Sequence, residues 1–220
     1  MKKRFSTELC YVLGLVLVAF SSTCMAKADL GVSMVVAPAY LLHLRFGISF
    51  GTAEYCTQAV LLLLMLLILR RFKLAYLLSF LTAVIYGVVL DAFMQIFTFP
   101  ELSLMARIAL FIVGLFSAAA GLAFFFKSYL TPQVYELFVR EVSQKLHVPL
   151  SHFKTYFDMV FCVLGIMFSF AFFGFGRFEG VKIGTIVCTL LNGWLIGRYT
   201  ESLEKKFDFQ DARPWRDFFI

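Results

Sequence analysis

Residues 9–26 read Leu-Cys-Tyr-Val-Leu-Gly-Leu-Val-Leu-Val-Ala-Phe-Ser-Ser-Thr-Cys-Met-Ala, and residues 110–126 read Leu-Phe-Ile-Val-Gly-Leu-Phe-Ser-Ala-Ala-Ala-Gly-Leu-Ala-Phe-Phe-Phe. Each run is about as long as the ~20 apolar residues that cross a hydrocarbon core. They also resemble each other. Tyr-Val-Leu-Gly-Leu around Gly14 corresponds to Phe-Ile-Val-Gly-Leu around Gly114, and Lys27 closes the first run as Lys127 closes the second.

Four more apolar runs lie outward from these two. The spans read from length and hydropathy are Leu9–Ala26, Ala53–Leu69, Leu74–Phe97, Arg107–Phe126, Phe157–Gly176 and Ile183–Gly197. The chain of 220 residues is 61% hydrophobic with a mean hydropathy of +0.86, which sets it apart from soluble domains, whose apolar share is nearer half. In lipid every backbone polar group must be satisfied within the segment or by a closed barrel. Runs such as Val60–Leu69 do not alternate, so the expected class is all-α, a polytopic membrane protein with six transmembrane helices.

Residues 1–100 would form one three-helix repeat, residues 101–204 a second, and residues 205–220 a cytoplasmic tail. Three crossings per half is an odd number, so the second copy must be inverted, an architecture found in many transporters. Beyond the first span the halves realign: Gln58 corresponds to Asp158, and Tyr86-Gly87-Val88 to Asn192-Gly193-Trp194 after a shift absorbed in the glycine-rich turn 174–180.

The charges set an orientation. Lys2, Lys3, Arg4, Arg70, Arg71, Lys73, Lys127, Arg140, Lys145, Lys154, Arg198, Lys205, Lys206, Arg213 and Arg216 fall on one face, which makes 15 of the 20 basic residues. Lys27, Arg45, Arg107, Arg177 and Lys182 make up the other 5. The excess of basic residues on cytoplasmic loops then places both termini in the cytoplasm. The net charge of +6 reads as topology, and no basic surface interleaved with aromatics calls for nucleic acid.

Residues 1–28 imitate a secretory signal, with Lys2-Lys3-Arg4, an apolar core and Ala26-Lys27-Ala28. The core is long for a signal, and its counterpart Leu110–Phe126 is internal, so retention as a span is expected. The five cysteines, Cys10, Cys24, Cys56, Cys162 and Cys188, lack metal or redox spacing and read as small apolar packing residues.

Two connectors follow spans one and four. Residues 28–52 stay apolar with breaks at Gly31 and Pro38, which suits either an interfacial helix or a re-entrant one. Residues 128–156 carry Val134, Leu137, Phe138 and Val142 at helical spacing, with Glu136, Arg140, Glu141, Gln144 and Lys145 largely on other faces. That pattern predicts an amphipathic helix on the cytoplasmic surface, capped by Thr131 with Pro132 in its first turn. A tether between halves and a gating element are the two roles open to it.

Ionisable residues inside spans are costly and therefore functional candidates. Asp91, with Gln95 one turn later, lies about 25 Å along span three from its cytoplasmic end. Glu54 and Gln58 share a face at the outer end of span two. Asp158 marks the inner end of span five, and Asn192 is the polar residue nearest the middle of span six. Structural roles compete: Asp91 paired with Arg107, Glu54 capping its helix or meeting Arg45, Asn192 bonding a neighbouring helix. His43, His147 and His152 lie outside the spans. Gly114, Ala118 and Gly121 on span four, and Gly193 and Gly197 on span six, are spaced for close helix packing. The 28 phenylalanines read as packing and interface residues. Catalytic motifs are absent from the sequence, so no enzyme, cofactor or metal is expected.

Three stretches resemble bacterial YczE/YyaS/YitT-type integral membrane proteins: Ala28-Asp29-Leu30-Gly31 with Pro38, Gly47-Ile48-Ser49-Phe50-Gly51-Thr52, and Tyr86-Gly87-Val88-Val89-Leu90-Asp91. The likeness is strongest over residues 14–93. Such proteins often show Gly-Pro-Trp where this chain has Val32-Ser33-Met34. The resemblance implies a bacterial inner-membrane protein and transfers no substrate or site residue.

The expected function is a small-solute or ion permease with its pathway between the halves. Asp91, Glu54 and Gln58 would line the outer mouth, Asp158 the inner mouth, and Asn192 the way between. A substrate-binding subunit of an energy-coupled importer and a membrane scaffold are the rival readings. The partners expected are the lipid bilayer and a small molecule of unspecified kind, with a homo-oligomer left open.

Overall fold

The computed structural model describes residues 3–99, 101–175 and 178–211, and for Lys3 the backbone only. Lys2, Gly176, Arg177, Arg213 and Arg216, which enter the charge, span and turn arguments above, lie outside the described residues, as do residues 212–220 of the tail. The chain is all-helical apart from two short strands: β1 (Lys3–Ser6), α1 (Thr7–Ala28), α2 (Ala37–Phe46), α3 (Phe50–Leu69), α4 (Leu74–Ile96), α5 (Leu104–Phe125), α6 (Val134–Leu146), α7 (Leu150–Phe173), α8 (Ile183–Lys206) and β2 (Phe207–Gln210).

The helix starts follow local chemistry. Ser6, Ser49 and Ser103 sit in extended conformation, and each hydroxyl accepts from a backbone N–H, of Leu9, Thr52 and Ala106 respectively. These donors would otherwise be orphaned in the first turn. α1 and α3 end on residues in left-handed conformation, Asp29 and Arg70, both with φ of 51°. α7 starts seven residues before the apolar run that marks it, because Pro149 opens the helix and Ser151, His152 and Lys154 ride on an exposed first stretch. It stops at Phe173 before Gly174, whose φ is +77°.

α1, α3, α4, α5 and α7 are long and apolar enough to cross a membrane, and they mark the chain as a membrane protein. α8 has 24 residues, but its polar half 198–206 leaves an apolar stretch of about 22 Å, short of the ~30 Å core. Large side chains such as Leu63, Leu67, Val88 and Met105 point outward on the long helices, as lipid contact requires.

α1 and α5 form the central pair and run antiparallel. A Cβ on Gly14 would lie 3.0 Å from the Gly121 carbonyl, and one on Gly114 would lie 3.2 Å from the Ser21 carbonyl. The small residues singled out on α5 therefore let the two backbones meet. The expectation for α8 is corrected: among the described residues nothing stands within 4 Å of a Cβ on Gly193 or Gly197, so those glycines make no close helix contact there. α4 flanks α1, and α8 flanks α5. α3 packs along α4 at a backbone-to-backbone crossing, where a Cβ on Gly51 would stand 1.9 Å from the Gly87 carbonyl oxygen.

β1 and β2 pair in parallel, with Lys3 opposite Phe207 and Ser6 opposite Gln210. The start of α1 and the end of α8 thus share one end of the bundle, here called the terminal end. Residues 207–210, expected within a plain tail, are a strand. At the far end Asp29 binds both Arg107 and Lys182, the latter at 2.5 Å, and Glu179 joins Lys182 at 3.0 Å. The Gly184 N–H donates to the Leu30 carbonyl at 2.8 Å, and the Val32 N–H donates to that of Gly180 at 3.1 Å.

Candidate functional site

The second connector departs most from expectation. α6 does not lie on a surface: Val134, Leu137, Phe138 and Val142 are buried as their spacing implies, but so are Tyr135, Val139, Glu141 and Ser143. Nor does Thr131 cap it. Gln133 is the capping position, without a side-chain bond, and the Thr131 carbonyl accepts from Thr82 at 3.2 Å. From the terminal end, where Tyr129 donates to Glu8 at 2.9 Å, residues 129–133 run inward beside α4. Ser79 donates to the Pro132 carbonyl at 2.5 Å.

At the inner end of this stretch Gln58 of α3 completes two bonds. Its Nε2 donates to Gln133 Oε1 at 2.9 Å, and its Oε1 accepts the Val134 N–H at 3.0 Å. α6 then runs back along α3 until Lys145 Nζ donates to the Ile68 carbonyl at 2.5 Å. By helix rise the return covers roughly 16 Å, about half the thickness of a hydrocarbon core. Near its exit Glu141 accepts from Lys73 at 3.0 and 3.1 Å and from Tyr76 at 2.8 Å, with Arg71 at 3.6 Å. Burial pushes the Glu141 carboxyl upward, but donation from Tyr76 and Lys73 and the Lys73 charge outweigh it and hold the pKa below the usual value.

Beside this inserted N-terminus stands Glu54, fully buried, one turn before Gln58 on α3. Among the described residues neither carboxyl oxygen has a hydrogen-bond partner. Gln58 and the Tyr135 hydroxyl are its immediate electrostatic neighbours, and Glu136 is a second acid nearby, yet none meets hydrogen-bond geometry with it. Tyr135 Oη and Glu136 Oε2 are likewise buried and unpartnered. Tyr86 of α4 faces the same acids, and its hydroxyl bonds Ser22 of α1 at 2.7 Å. Toward the terminal end the polar line continues through Thr131 and Thr82 to Tyr11, whose hydroxyl lies 2.7 Å from Thr82 Oγ1. A seam of polar groups from α1, α3, α4 and α6 therefore threads an otherwise apolar bundle.

The structure brings Glu54 and Gln58 together with residues the sequence reading treated as surface. It does not gather the other candidates there. Asp91 docks the far end of α4 onto the start of α3, accepting from the Gly51 N–H at 2.6 Å and from the Ser49 hydroxyl at 2.5 Å. The alternative of an Asp91–Arg107 pair is corrected, since Arg107 holds Asp29 and the Ala28 carbonyl instead. Glu54 neither caps α3, which Ser49 does, nor pairs with Arg45. Gln95 is exposed on α4. Asp158 pairs with Lys154 one turn earlier at 2.8 Å. Asn192 does not bond a neighbouring helix: its Oδ1 is buried and unpartnered among the described residues.

Two apolar grooves flank the bundle, of about 560 Å³ between α2, α3, α6 and α7 and about 540 Å³ between α5 and α8. Their linings carry almost no polar atoms and suit acyl chains, not a polar solute.

No curated protein and no solved structure matches the chain. The family model described as Family of unknown function (DUF6198) matches residues 5–201, nearly the whole chain, which therefore belongs to that family.

Proposed function

We propose that the chain is a bacterial inner-membrane permease for a small solute or ion, built from two inverted halves, with its pathway along the Glu54 seam. The observation that carries this reading is the Glu54 carboxylate. A carboxyl group buried in an apolar interior without a hydrogen-bond partner is costly, and it persists where function requires it.

Several features support the inverted architecture. The order long, short, long, long recurs as α1 to α4 and α5 to α8. Adding one hundred to Gly14 and subtracting it from Gly121 turns the first close contact of α1 and α5 into the second, Gly114 with Ser21. α3 packs on α6 as α7 packs on α2, the exchange a two-fold axis would produce. α2 behaves as α6 does from the opposite end: Ala37 lies near Gly165, deep along α7, and Phe46 meets Phe172 near the end of that helix. Both short helices are then re-entrant, and their N-termini, which carry partial positive charge, aim toward the middle of the bilayer.

The terminal strands support a sixth crossing. Five crossings would leave β1 and β2 on opposite faces, whereas they pair, and helices that enter and leave by one face do not alter the parity. α8 then crosses as a short span. Both termini are cytoplasmic, and kinship with the YczE/YyaS/YitT-type proteins is part of the same proposal.

The test is a thermal-stability screen of purified protein against metabolites and salts, followed by uptake into proteoliposomes. A solute that binds the folded state raises the melting temperature. Wild type should accumulate that solute, and Glu54→Gln should cut accumulation at least tenfold at equal membrane abundance. Unchanged uptake by the variant, or association of the chain with ATPase subunits and no transport alone, would overturn the reading.

A further inference from the structure

The proposed pathway leaves open what neutralises Glu54. Its surroundings can be followed element by element. From α3 comes Gln58, with both amide atoms already committed to Gln133 and Val134. From α4 comes the Tyr86 hydroxyl, committed to Ser22. α6 contributes the unpartnered Tyr135 hydroxyl and Glu136, an acid whose own charged neighbours are Lys154 and Asp158 of α7. α2 brings Tyr40, bonded to the Ala26 carbonyl at 3.3 Å, and His43, whose Nδ1 lies 2.6 Å from the Ile48 carbonyl. Its Arg45 is exposed. Among the described residues no basic side chain pairs with the Glu54 carboxyl.

Sodium or calcium takes several oxygen ligands, with backbone carbonyls prominent among them. The unpartnered oxygens here are both of Glu54, one of Glu136 and the Tyr135 hydroxyl, and among the described residues no group of three His, Cys, Asp or Glu side chains could hold a metal ion. Two buried acids with a hydroxyl between helices is the arrangement in which one carboxyl carries a proton.

We propose that Glu54 is an exchangeable proton-binding site, loading and releasing one proton beside Glu136 and Tyr135 at the inserted N-terminus of α6. On loading, a proton from water forms an O–H bond with one Glu54 carboxylate oxygen, and on release that bond breaks and the proton returns to water. The proposal deepens the permease reading by naming the coupling ion, but it concerns the site and does not need transport.

The experiment is an infrared pH titration of the purified full-length protein in lipid, in potassium buffer and again with sodium chloride added. A protonated buried carboxyl gives a C=O stretch separate from that of carboxylates. Wild type should show such a band that disappears as pH rises. Glu54→Gln should lose it, Glu54→Asp should keep it with a shifted frequency and midpoint, and Asp91→Asn should leave it unchanged. A band that survives unaltered in Glu54→Asp belongs to another residue and overturns the proposal. A Glu54 carboxyl that stays protonated or ionised throughout, or that responds to sodium and not to pH, also overturns it. Should Glu54→Gln fail to fold, the Glu54→Asp comparison decides alone. A titrating Glu54 in a protein that carries no solute leaves the proton site standing and removes the permease. Uptake with an inert Glu54 does the reverse.

Discussion

Glu54 and Gly51 sit within one turn of α3 and do opposite things. Gly51 is there for lack of a side chain: a Cβ at 1.9 Å from the Gly87 carbonyl oxygen forces α3 and α4 apart. Gly51→Ala is expected to lower stability by about 1–3 kcal/mol, the usual cost of overpacking, and Gly87→Ala should do the same, as read by thermal melting in detergent. Gly193→Ala, at a position with open space around it, should change melting little. Glu54 is there at a cost. Glu54→Gln keeps its volume and removes the ionisable group, so it should fold and melt at or above wild type while losing uptake. Glu54→Leu, which removes the polar groups that face Tyr135 and Gln58, tests packing alone; melting as high as that of Glu54→Gln would say the seam is not built around a polar side chain.

At the scale of elements, α6 is held at two points of different chemistry. Its N-terminus hangs on Gln58, and its C-terminal half on the Glu141 cluster with Lys73, Tyr76 and Arg71. Glu141 has a folded pKa below its ordinary value. Its contribution is therefore fully present above the unfolded value, about 4.3, and is lost as pH falls through the lower folded value. Glu141→Gln should reduce stability by about 1 kcal/mol at neutral pH, a modest figure because Lys73 and Arg71 are half exposed. The difference from wild type should shrink in acid, below about pH 4. A gap that widened in acid would contradict the assignment.

The same helix marks the limit of what the sequence revealed. The long helices were legible because apolar length is a local signal, and their ends fall within a few residues of the apolar runs except at the start of α7, Leu150, and the end of α8, Lys206. Glu54 and Gln58 were legible as a pair, since four residues separate them on one helix. Their company was not. Tyr135 and Glu136 lie about eighty residues further on, in a stretch whose charges read as a water-facing surface. Only the chain path through Thr131, Pro132 and Gln133 turns that stretch inward, and no local periodicity encodes depth. The odd spacing of Tyr135 among the apolar positions of α6 was the one available signal. Asp91 was misleading for a related reason: a lone acid in an apolar run looks the same whether it faces a cavity or binds the start of another helix.

For the whole molecule, the proposal of two inverted halves facing each other across a polar seam ties together the pairing of β1 with β2, the antiparallel α1 and α5, and the contacts of α3 with α6 and of α7 with α2. Tags on the two ends should then report the same side of the membrane. The account stands or falls on whether water reaches that seam. The most direct measurement replaces the five native cysteines, introduces Glu54→Cys or Tyr86→Cys singly, and adds a membrane-impermeant thiol reagent to sealed vesicles of known orientation. Leu67→Cys, on an outward face of α3, serves as the lipid control. The account predicts that both seam cysteines react from at least one aqueous side while Leu67→Cys does not. Seam cysteines that stay unmodified from either side in folded protein would contradict it.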